Sequence, residues 1–483
     1  MNQIKYQTPE EVLIRGREAI GIPLRDIDKT GRLITGRGAI GNVIEESWFG
    51  IKINRDSEPD FPQAGVELKV TPYIRTRAGE IRAKERLVCN IINYMEEYEK
   101  NFYTSSFWYK CNLMLIMSYE HLYETSKGDF KIEEAILFSF PEEDLLVIKK
   151  DWEMIMQKVR EGRAHELSEG DTFYLGACTK GANSTSTRKQ PCSSIPAKQR
   201  AYALKQSYMT SVLQRFIFGN EQNEKIIKNP QQLREKSLIE LLNEKFAPYI
   251  GKSQEELKAI LGIETSAKSL NYLIVSAILG VLDIEKIDEF LKANIKVKTI
   301  RLEADGNSIA ENMSFPVFKF KDIINEEWED SDMYQQFVEQ KYLFIVFRKD
   351  NEYNFDKNNP RHTEAHLFLE KLILWQLPEE DEIEVKQVWE RTVQTIRDGV
   401  QLNKVKWGKG FRIENNLPKE TENRVAHVRP HAKKSEYRFD GEKIGDLPNA
   451  NELPDGRWMT KQCFWFNKSY IFEQIKKHLD MTR

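Results

Sequence analysis

Two rhythms of apolar positions run along the chain, one repeating every three or four residues and the other every second residue. They interchange over most of its length, which predicts an α/β protein. The first helix has a defined start. Thr8 can cap it, Pro9 suits its first turn, and Glu11 stands where a capping box places its acid. A second helical stretch runs from Ile40 to Phe49 and stops at Gly50. In Gly65–Val70 the period is two, so Val66, Leu68 and Val70 share one strand face and Glu67 and Lys69 the other.

The pattern also repeats at long range. Residues 148–162 read IKKDWEMIMQKVREG and residues 385–399 read VKQVWERTVQTIRDG. One offset aligns Trp152 with Trp389, Glu153 with Glu390, Gln157 with Gln394, Arg160 with Arg397 and Gly162 with Gly399. Each copy reads as an amphipathic helix closed by a glycine. Further on, Ala177–Lys180 is similar to Ala426–Arg429, and Lys205–Tyr208 to Lys461–Phe464. Three matches in one order predict a duplicated domain. Apolar periodicity lapses over Asn220–Arg234, which sets a first domain at 1–222, a linker at 223–235 and a second domain at 236–483.

Composition narrows the class. A chain of 483 residues with 40% hydrophobic and 30% charged residues is globular rather than disordered. The formal net charge of −3 gives no global attraction for polyanions, so a nucleic-acid partner must be met by a local basic surface. Five cysteines without a C-x-x-C pair argue against a disulfide framework or a zinc knuckle. The N-terminus has no signal-peptide pattern, and the apolar stretch Leu273–Leu282 is too short to cross a bilayer. A cytoplasmic protein with no membrane association is expected.

The sharpest candidate chemistry is Asp60 followed by Glu67-Leu68-Lys69. Phosphodiester hydrolysis calls for a hard divalent cation on oxygen ligands and a group that orients the attacking water. Asp60 and Glu67 would supply two carboxylates to one Mg2+, joined by the carbonyl of Leu68, whose side chain anchors the strand. Lys69 falls on the same side as Glu67, where its ammonium can hold water or offset charge on the phosphate. Alone, the motif fits an exposed strand face carrying an ion pair better than it fits catalysis. The repeat adds to it, because Asn294–Thr299 copies the apolar pattern of Gly65–Val70 but puts Lys296 where Glu67 stands.

From Thr172 to Asn220 there is no acidic residue, while Lys180, Arg188, Lys189, Lys198, Arg200, Lys205 and Arg215 are basic, with Tyr202 and Tyr208 between them. Such a tract suits phosphate contacts and base reading, with the GANSTST run at 181–187 as a loop that orders on DNA; a merely solvated basic loop is the alternative. A smaller parallel spans Arg424–Lys434. There Pro430 spoils a helix between His427 and His431, so a phosphate-contacting loop that includes Arg429 and His431 is expected rather than zinc. His362 and His366 read as a surface helix, and Cys178 has no convincing partner for thiol chemistry. No phosphate-binding glycine loop is present.

At these residues the chain resembles the restriction endonucleases that cut at GATC and share their fold with the mismatch-repair nickase MutH. The resemblance spans nearly the whole chain: GNVIE at 41–45, WFG at 48–50, Asp60, GVELK at 65–69, KERLV at 84–88, HELSEG at 165–170, TKGAN at 179–183, AKQRA at 197–201, NLP at 416–418 and RPHA at 429–432. It implies two tandem MutH-like domains, each a mixed β-sheet flanked by helices, and a Mg2+-dependent PD-(D/E)xK nuclease. Asp60 and Glu67 would hold the metal and Lys69 would orient water. The resemblance further implies an active-site carboxylate at Glu45 and a second lysine at Lys110. Lys180, Arg200, Tyr202 and Lys205 fall where relatives contact DNA, and the second half would be inactive and bind a further GATC copy that stimulates cleavage. Gly176-Ala177-Cys178 departs from the more basic stretch of the nickase, so single base contacts are not assigned. The expected protein is a type II enzyme for double-stranded DNA, a monomer in solution that dimerises on DNA. Its rivals are a GATC nickase and a non-catalytic DNA-binding protein.

Overall fold

A computed structural model describes residues 6–34, 38–53, 58–76, 79–122, 125–181, 186–219, 223–265, 269–350 and 367–479. The chain forms two units. Unit 1 comprises Met1–Leu241 and Asp283–Asn294, and unit 2 comprises Leu242–Leu282 and Ile295–Arg483. The chain therefore leaves the first unit, returns to it for one short stretch, and leaves again.

Unit 1 opens with helix α1 (Pro9–Arg17), whose capping box is present as the sequence predicts: Glu11 N donates to Thr8 Oγ1 at 3.3 Å, and the Glu11 carboxylate accepts from Thr8 N at 3.3 Å. Helix α2 (Ala39–Val43) runs on as a π-helical turn, Ile44–Trp48, before Gly50 takes a positive φ. A mixed sheet follows, ordered β2-β1-β4-β5, from β1 (Glu67–Arg75), β2 (Ile81–Ala83), β4 (Met114–Glu120) and β5 (Glu134–Phe138). β1 and β4 are parallel, and β2 and β5 join antiparallel at either side. β4 is central and covered on both faces, which explains its unbroken apolar run. Gly16 lets α1 lie against it, since a Cβ there would come 2.9 Å from Leu115 Cδ2.

A second, antiparallel sheet is ordered β3-β9-β6, from β3 (Leu87–Ile91), β6 (Leu175–Thr179) and β9 (Arg200–Leu204). The hairpin β7 (Thr187–Gln190) and β8 (Ser193–Lys198) sits beside it in sequence. Helix α3 (Ser106–Cys111) precedes β4, α4 (Glu142–Arg160) follows β5 and α5 (Gln206–Val212) follows β9. α4 buries one stripe that includes Val147, Ile148, Asp151, Trp152, Ile155 and Val159, with acids in its first turn and bases in its last. The returning segment adds α6 (Asp288–Ala293).

A buried cluster fastens that segment. Lys292 Nζ lies 2.7 Å from Asp144 Oδ1 and 2.8 Å from Asp288 Oδ2, and Tyr208 OH donates to Asp144 Oδ2 at 3.2 Å. Ser207 Oγ donates to the Lys292 carbonyl at 2.9 Å.

Unit 2 repeats the plan. β10 (Ile295–Leu302) is parallel to β12 (Lys341–Lys349), and β13 (Leu367–Trp375) pairs antiparallel with β12. β11 (Met313–Val317), β21 (Gln462–Phe466) and β16 (Ala426–Pro430) form the antiparallel sheet, ordered β11-β21-β16. Helix α7 (Glu382–Asp398) matches α4, and α8 (Lys468–Leu479) matches α5. Two further small sheets are present, the hairpin β14 (Leu402–Trp407) and β15 (Gly410–Asn415), and β17 (Tyr437–Phe439), β18 (Glu442–Ile444), β19 (Ala450–Glu452) and β20 (Trp458–Thr460). Asp381 accepts from Tyr470 OH at 2.7 Å and faces Arg424, which repeats the Tyr208–Asp144–Lys292 arrangement of unit 1.

The sheets correct two of the sequence matches. Leu175 pairs with Leu204 as Ala426 pairs with Phe466, so Ala177 corresponds to Val428 and Lys180 to His431, two residues from the pairing read in sequence. By the same register Lys205 corresponds to Asn467 and Tyr208 to Tyr470. Short motifs slip this way because strand alternation is satisfied by any even shift. A further correction concerns Arg424–Lys434, expected as a loop: Ala426–Pro430 is a strand, with Ala426, His427 and Val428 buried. His362, His366 and residues 182–185 of the GANSTST run lie outside the described residues.

Candidate active site

The entry to β1 builds the site. Gly65 has φ 65°, a left-handed turn open to glycine at little cost, and behind it Phe61 and Val66 exchange backbone hydrogen bonds of 2.9 and 3.2 Å. This tight return carries Asp60 back onto the start of the strand. Leu68 N donates to Asp60 Oδ2 at 3.0 Å, and Asp60 N donates to Glu67 Oε2 at 3.2 Å. Each carboxylate is thus held by the backbone of the other's segment. Leu68 packs inward among Val66, Leu115 and Met117.

Two ammonium groups face Glu67. Lys69 Nζ donates to Glu67 Oε1 at 2.8 Å and to the Cys89 carbonyl of β3 at 3.2 Å. Lys110 Nζ, from α3, lies 3.5 Å from the same Oε1. Glu67 is buried, and the side chains of Lys69 and Lys110 are only 14% and 13% exposed, so this is an enclosed charge cluster rather than a surface pair. Glu45, on the π-helical turn, faces the same charges. Its carboxyl is pushed up to about 7, first by burial and then by Asp60 and Glu67, against the pull of Lys110 and Lys69. Glu67 is also pushed up to about 7, by burial foremost and by Asp60, although Lys69 and Lys110 oppose it. Burial favours the neutral form of Lys69, but Glu67 outweighs it and holds the ammonium charged.

The structure therefore brings together Glu45, Asp60, Glu67, Lys69 and Lys110 from a helix, a turn, a strand and a second helix. Among the described residues no three His, Cys, Asp or Glu side chains gather closely enough to hold a metal ion. The donor set on offer is the carboxylates of Asp60 and Glu67 with the Leu68 carbonyl, all oxygen, which suits a hard divalent ion. Such an ion would offset both the burial and the mutual repulsion that raise Glu67 and Glu45, so the residues fit it. Sequence reading missed the Cys89 carbonyl, because a backbone group on another strand leaves no signal in residue type.

Unit 2 carries different groups at the equivalent places. Asn294 adopts φ 53° as Gly65 adopts 65°, which sets Lys296 at the position of Glu67 and Lys298 at that of Lys69. Ser331 caps its helix as Ser105 does, which sets Gln336 at the position of Lys110.

The expected DNA contacts divide. Lys180, Lys189 and Lys198 are exposed, and Arg188 is half-buried with its Nε donating to Gln199 Oε1 at 3.2 Å. Arg429 and His431 are exposed and both lie against Trp465, at 4.6 and 5.4 Å from its ring centroid. Three residues are corrected. Tyr202 is a core residue, fully buried beside Phe107 with its OH 3.8 Å from Met156 Sδ, because every residue of β9 is buried and neither of its faces is open. Arg200 is 2% exposed and donates to the Ala177 carbonyl at 2.7 Å. Lys205 is half-buried and donates to the Glu169 carbonyl at 2.7 Å and to that of Thr172, where Asn467 does the same work in unit 2.

Known proteins resemble both levels of this architecture. The family model for the DNA mismatch repair enzyme MutH matches residues 49–151. The type II restriction enzyme Sau3AI of Staphylococcus aureus is 39% identical over 497 residues, covering 98% of this chain and 99% of that protein. The DNA mismatch repair protein MutH of Shewanella woodyi is 26% identical over 44% of this chain and 94% of its own length; that of Pasteurella multocida is 21% identical over 44% and 98%.

Proposed function

Because this chain belongs to the MutH-related family of type II restriction endonucleases, we propose that it cleaves double-stranded DNA at GATC, with Mg2+ as its metal. The observation that carries the site is the enclosure of Glu45, Asp60, Glu67, Lys69 and Lys110 in one cluster. Asp60, Glu67 and the Leu68 carbonyl would hold the ion, which when bound supplies positive charge beside the scissile phosphate. Lys69, fixed between Glu67 and the Cys89 carbonyl, orients the attacking water. Lys110 offsets charge that builds on the phosphate oxygens. Glu45 adds a third negative charge that favours a divalent ion over a proton or a monovalent one. Lys180, Arg188, Lys189 and Lys198 contact phosphates in unit 1, and Arg429 and His431 in unit 2.

Unit 2, with Lys296 and Gln336 in place of Glu67 and Lys110, binds a second GATC copy and stimulates cleavage without cutting. On this reading unit 1, Met1–Leu241 with Asp283–Asn294, is the catalytic domain and unit 2 the second, so the division expected at 1–222, 223–235 and 236–483 shifts at its linker and gives the segment 283–294 back to unit 1. Each chain then offers one cutting site to a palindrome, so a double-strand break takes two chains. The protein is a monomer in solution that dimerises on DNA, and a stable dimer in sedimentation without DNA would contradict this.

Digestion of a sequenced plasmid with Mg2+, followed by mapping of fragment ends, is the test. Linear products ending at GATC are expected; open circles alone would instead mean a nickase. Asp60→Ala and Glu67→Ala should each abolish cutting while DNA binding persists, and retained cleavage in both would overturn the site.

A further inference from the structure

We infer that the β14–β15 ribbon of unit 2 is a duplex-DNA gripping element, and that it is what the second copy of the domain gained. This rests on the reading of unit 2 as a DNA-binding unit. Between the matching helix ends and strands, unit 1 runs from Gly162 to Leu175 through two single 3-10 turns. Unit 2 runs from Gly399 to Ala426 and places there an antiparallel ribbon, with Leu402 opposite Asn415 and Trp407 opposite Gly410. Leu402 is buried in the unit 2 core and Ile413 packs against it, so the ribbon is rooted at its base. Beyond the root both of its faces are open. A ribbon of this kind satisfies only its inner hydrogen bonds and buries too little to be there for stability.

Its side chains define a partner. The ribbon holds Lys404, Lys406, Lys409 and Arg412 against one acid, Glu414. Among the described residues the side-chain ammonium groups of Lys406 and Lys409 have no ion-pair or hydrogen-bond partner. Lys404 meets Glu442 at 2.7 Å and Arg412 meets Glu414 at 2.9 Å, exposed pairs that phosphates can displace. Lysines alone would be explained as protection of a bare strand edge. Trp407 and Phe411 are not, since they are 62% and 48% exposed at the tip. Alternation places them on opposite faces, Phe411 beneath the Lys404 ammonium at 4.5 Å and Trp407 beneath the Arg412 guanidinium at 4.0 Å. Both faces thus pair a cation with an aromatic plate, the combination that meets phosphate and sugar or base together. A two-stranded ribbon also fits the width of the DNA major groove.

The test uses the full chain in two variants, Lys406→Ala with Lys409→Ala and Trp407→Ala with Phe411→Ala. Affinity for duplexes with and without GATC is measured across a salt series, alongside cleavage of a short one-site duplex with and without a second duplex. The lysine variant should bind both duplexes more weakly and flatten the plot of log K against log salt by about 1.8, about 0.9 for each lysine. The aromatic variant should lose affinity at an unchanged slope. Both should keep the thermal melt and the unstimulated cleavage rate. Wild-type affinity and slope in both variants would overturn the inference. So would unchanged DNA binding with lost self-association in sedimentation, which would assign the ribbon to a protein partner. If the wild type shows no second-duplex stimulation, the proposed role of unit 2 in cleavage fails, yet loss of DNA affinity in the variants still upholds the ribbon.

Discussion

Replacing Lys292 with methionine should unravel the attachment of the returning segment in unit 1. Lys292 is 3% exposed and its ammonium sits between Asp144 and Asp288, at 2.7 and 2.8 Å. At an effective dielectric of about 20, each contact is worth about 6 kcal/mol of attraction. Most of this is offset by the cost of removing three charges from water, and the loss on deleting one partner is about 3–5 kcal/mol. Methionine fills the space but leaves two carboxylates facing each other in a buried site. Burial already raises Asp144 above its ordinary value, and loss of the cation raises it further. A carboxyl raised in the folded state keeps its full stability below the unfolded value near 4 and loses it as pH climbs to the folded value. The penalty should therefore be large at pH 8 and smaller at pH 5. Urea unfolding by far-UV circular dichroism measures it, taking the unit 1 transition separately because two units need not melt together. Adding Asp144→Asn to Lys292→Met should recover part of the loss. A penalty below about 1 kcal/mol at pH 8, equal at both pH values, would refute the argument.

Cleavage should fall as pH drops from 8 through 7, because Glu45 and Glu67 titrate at about 7 and must be ionised to hold a cation. Raising Mg2+ should move that fall to lower pH, and a midpoint indifferent to Mg2+ in pH–rate profiles would count against the site. Lys110→Ala removes a cation 3.5 Å from Glu67 and should shift the same profile to higher pH while lowering kcat more than it changes KM. Asp151 is buried and accepts the backbone N–H groups of Phe173, Tyr174 and Leu175 at 2.9, 2.6 and 2.9 Å. Asp151→Ala should cost at least about 3 kcal/mol in chemical denaturation, at about 1 kcal/mol or more for each stranded amide. A chain cut after residue 241 lacks Lys292 and should melt earlier than the intact protein in a circular dichroism scan.

Local features were legible where a residue's role is set by its neighbours in sequence. The Thr8–Glu11 cap, the helix closing at Gly162 and the inward Leu68 all follow from spacing. Glu67 and Lys69 were also readable, since strand alternation alone sets them on one side, whereas Asp60 reaches them only through the return at Gly65. Features set by partners far along the chain were not. The basic tract suggested that Arg200, Tyr202 and Lys205 face DNA, but a central strand and distant carbonyls draw them inward. Asp144 and Lys292 form one buried pair across a separation of 148 residues, which no pattern announces. The ribbon at 402–415 was overlooked because the comparison of repeats attends to what is shared, and the ribbon has no counterpart in unit 1.

The excursion of the chain between Leu241 and Asp283 orders events during synthesis. While the protein is being made from its N-terminus, Glu45, Asp60, Glu67, Lys69 and Lys110 all emerge long before Lys292, the partner of Asp144. A ribosome must deliver residue 294 before unit 1 can close, and by then the whole first segment of unit 2, Leu242–Leu282, has been made. Completion of unit 1 is thereby tied to the making of Leu242–Leu282 as well, and any chain that stops before Asp283 lacks part of that unit.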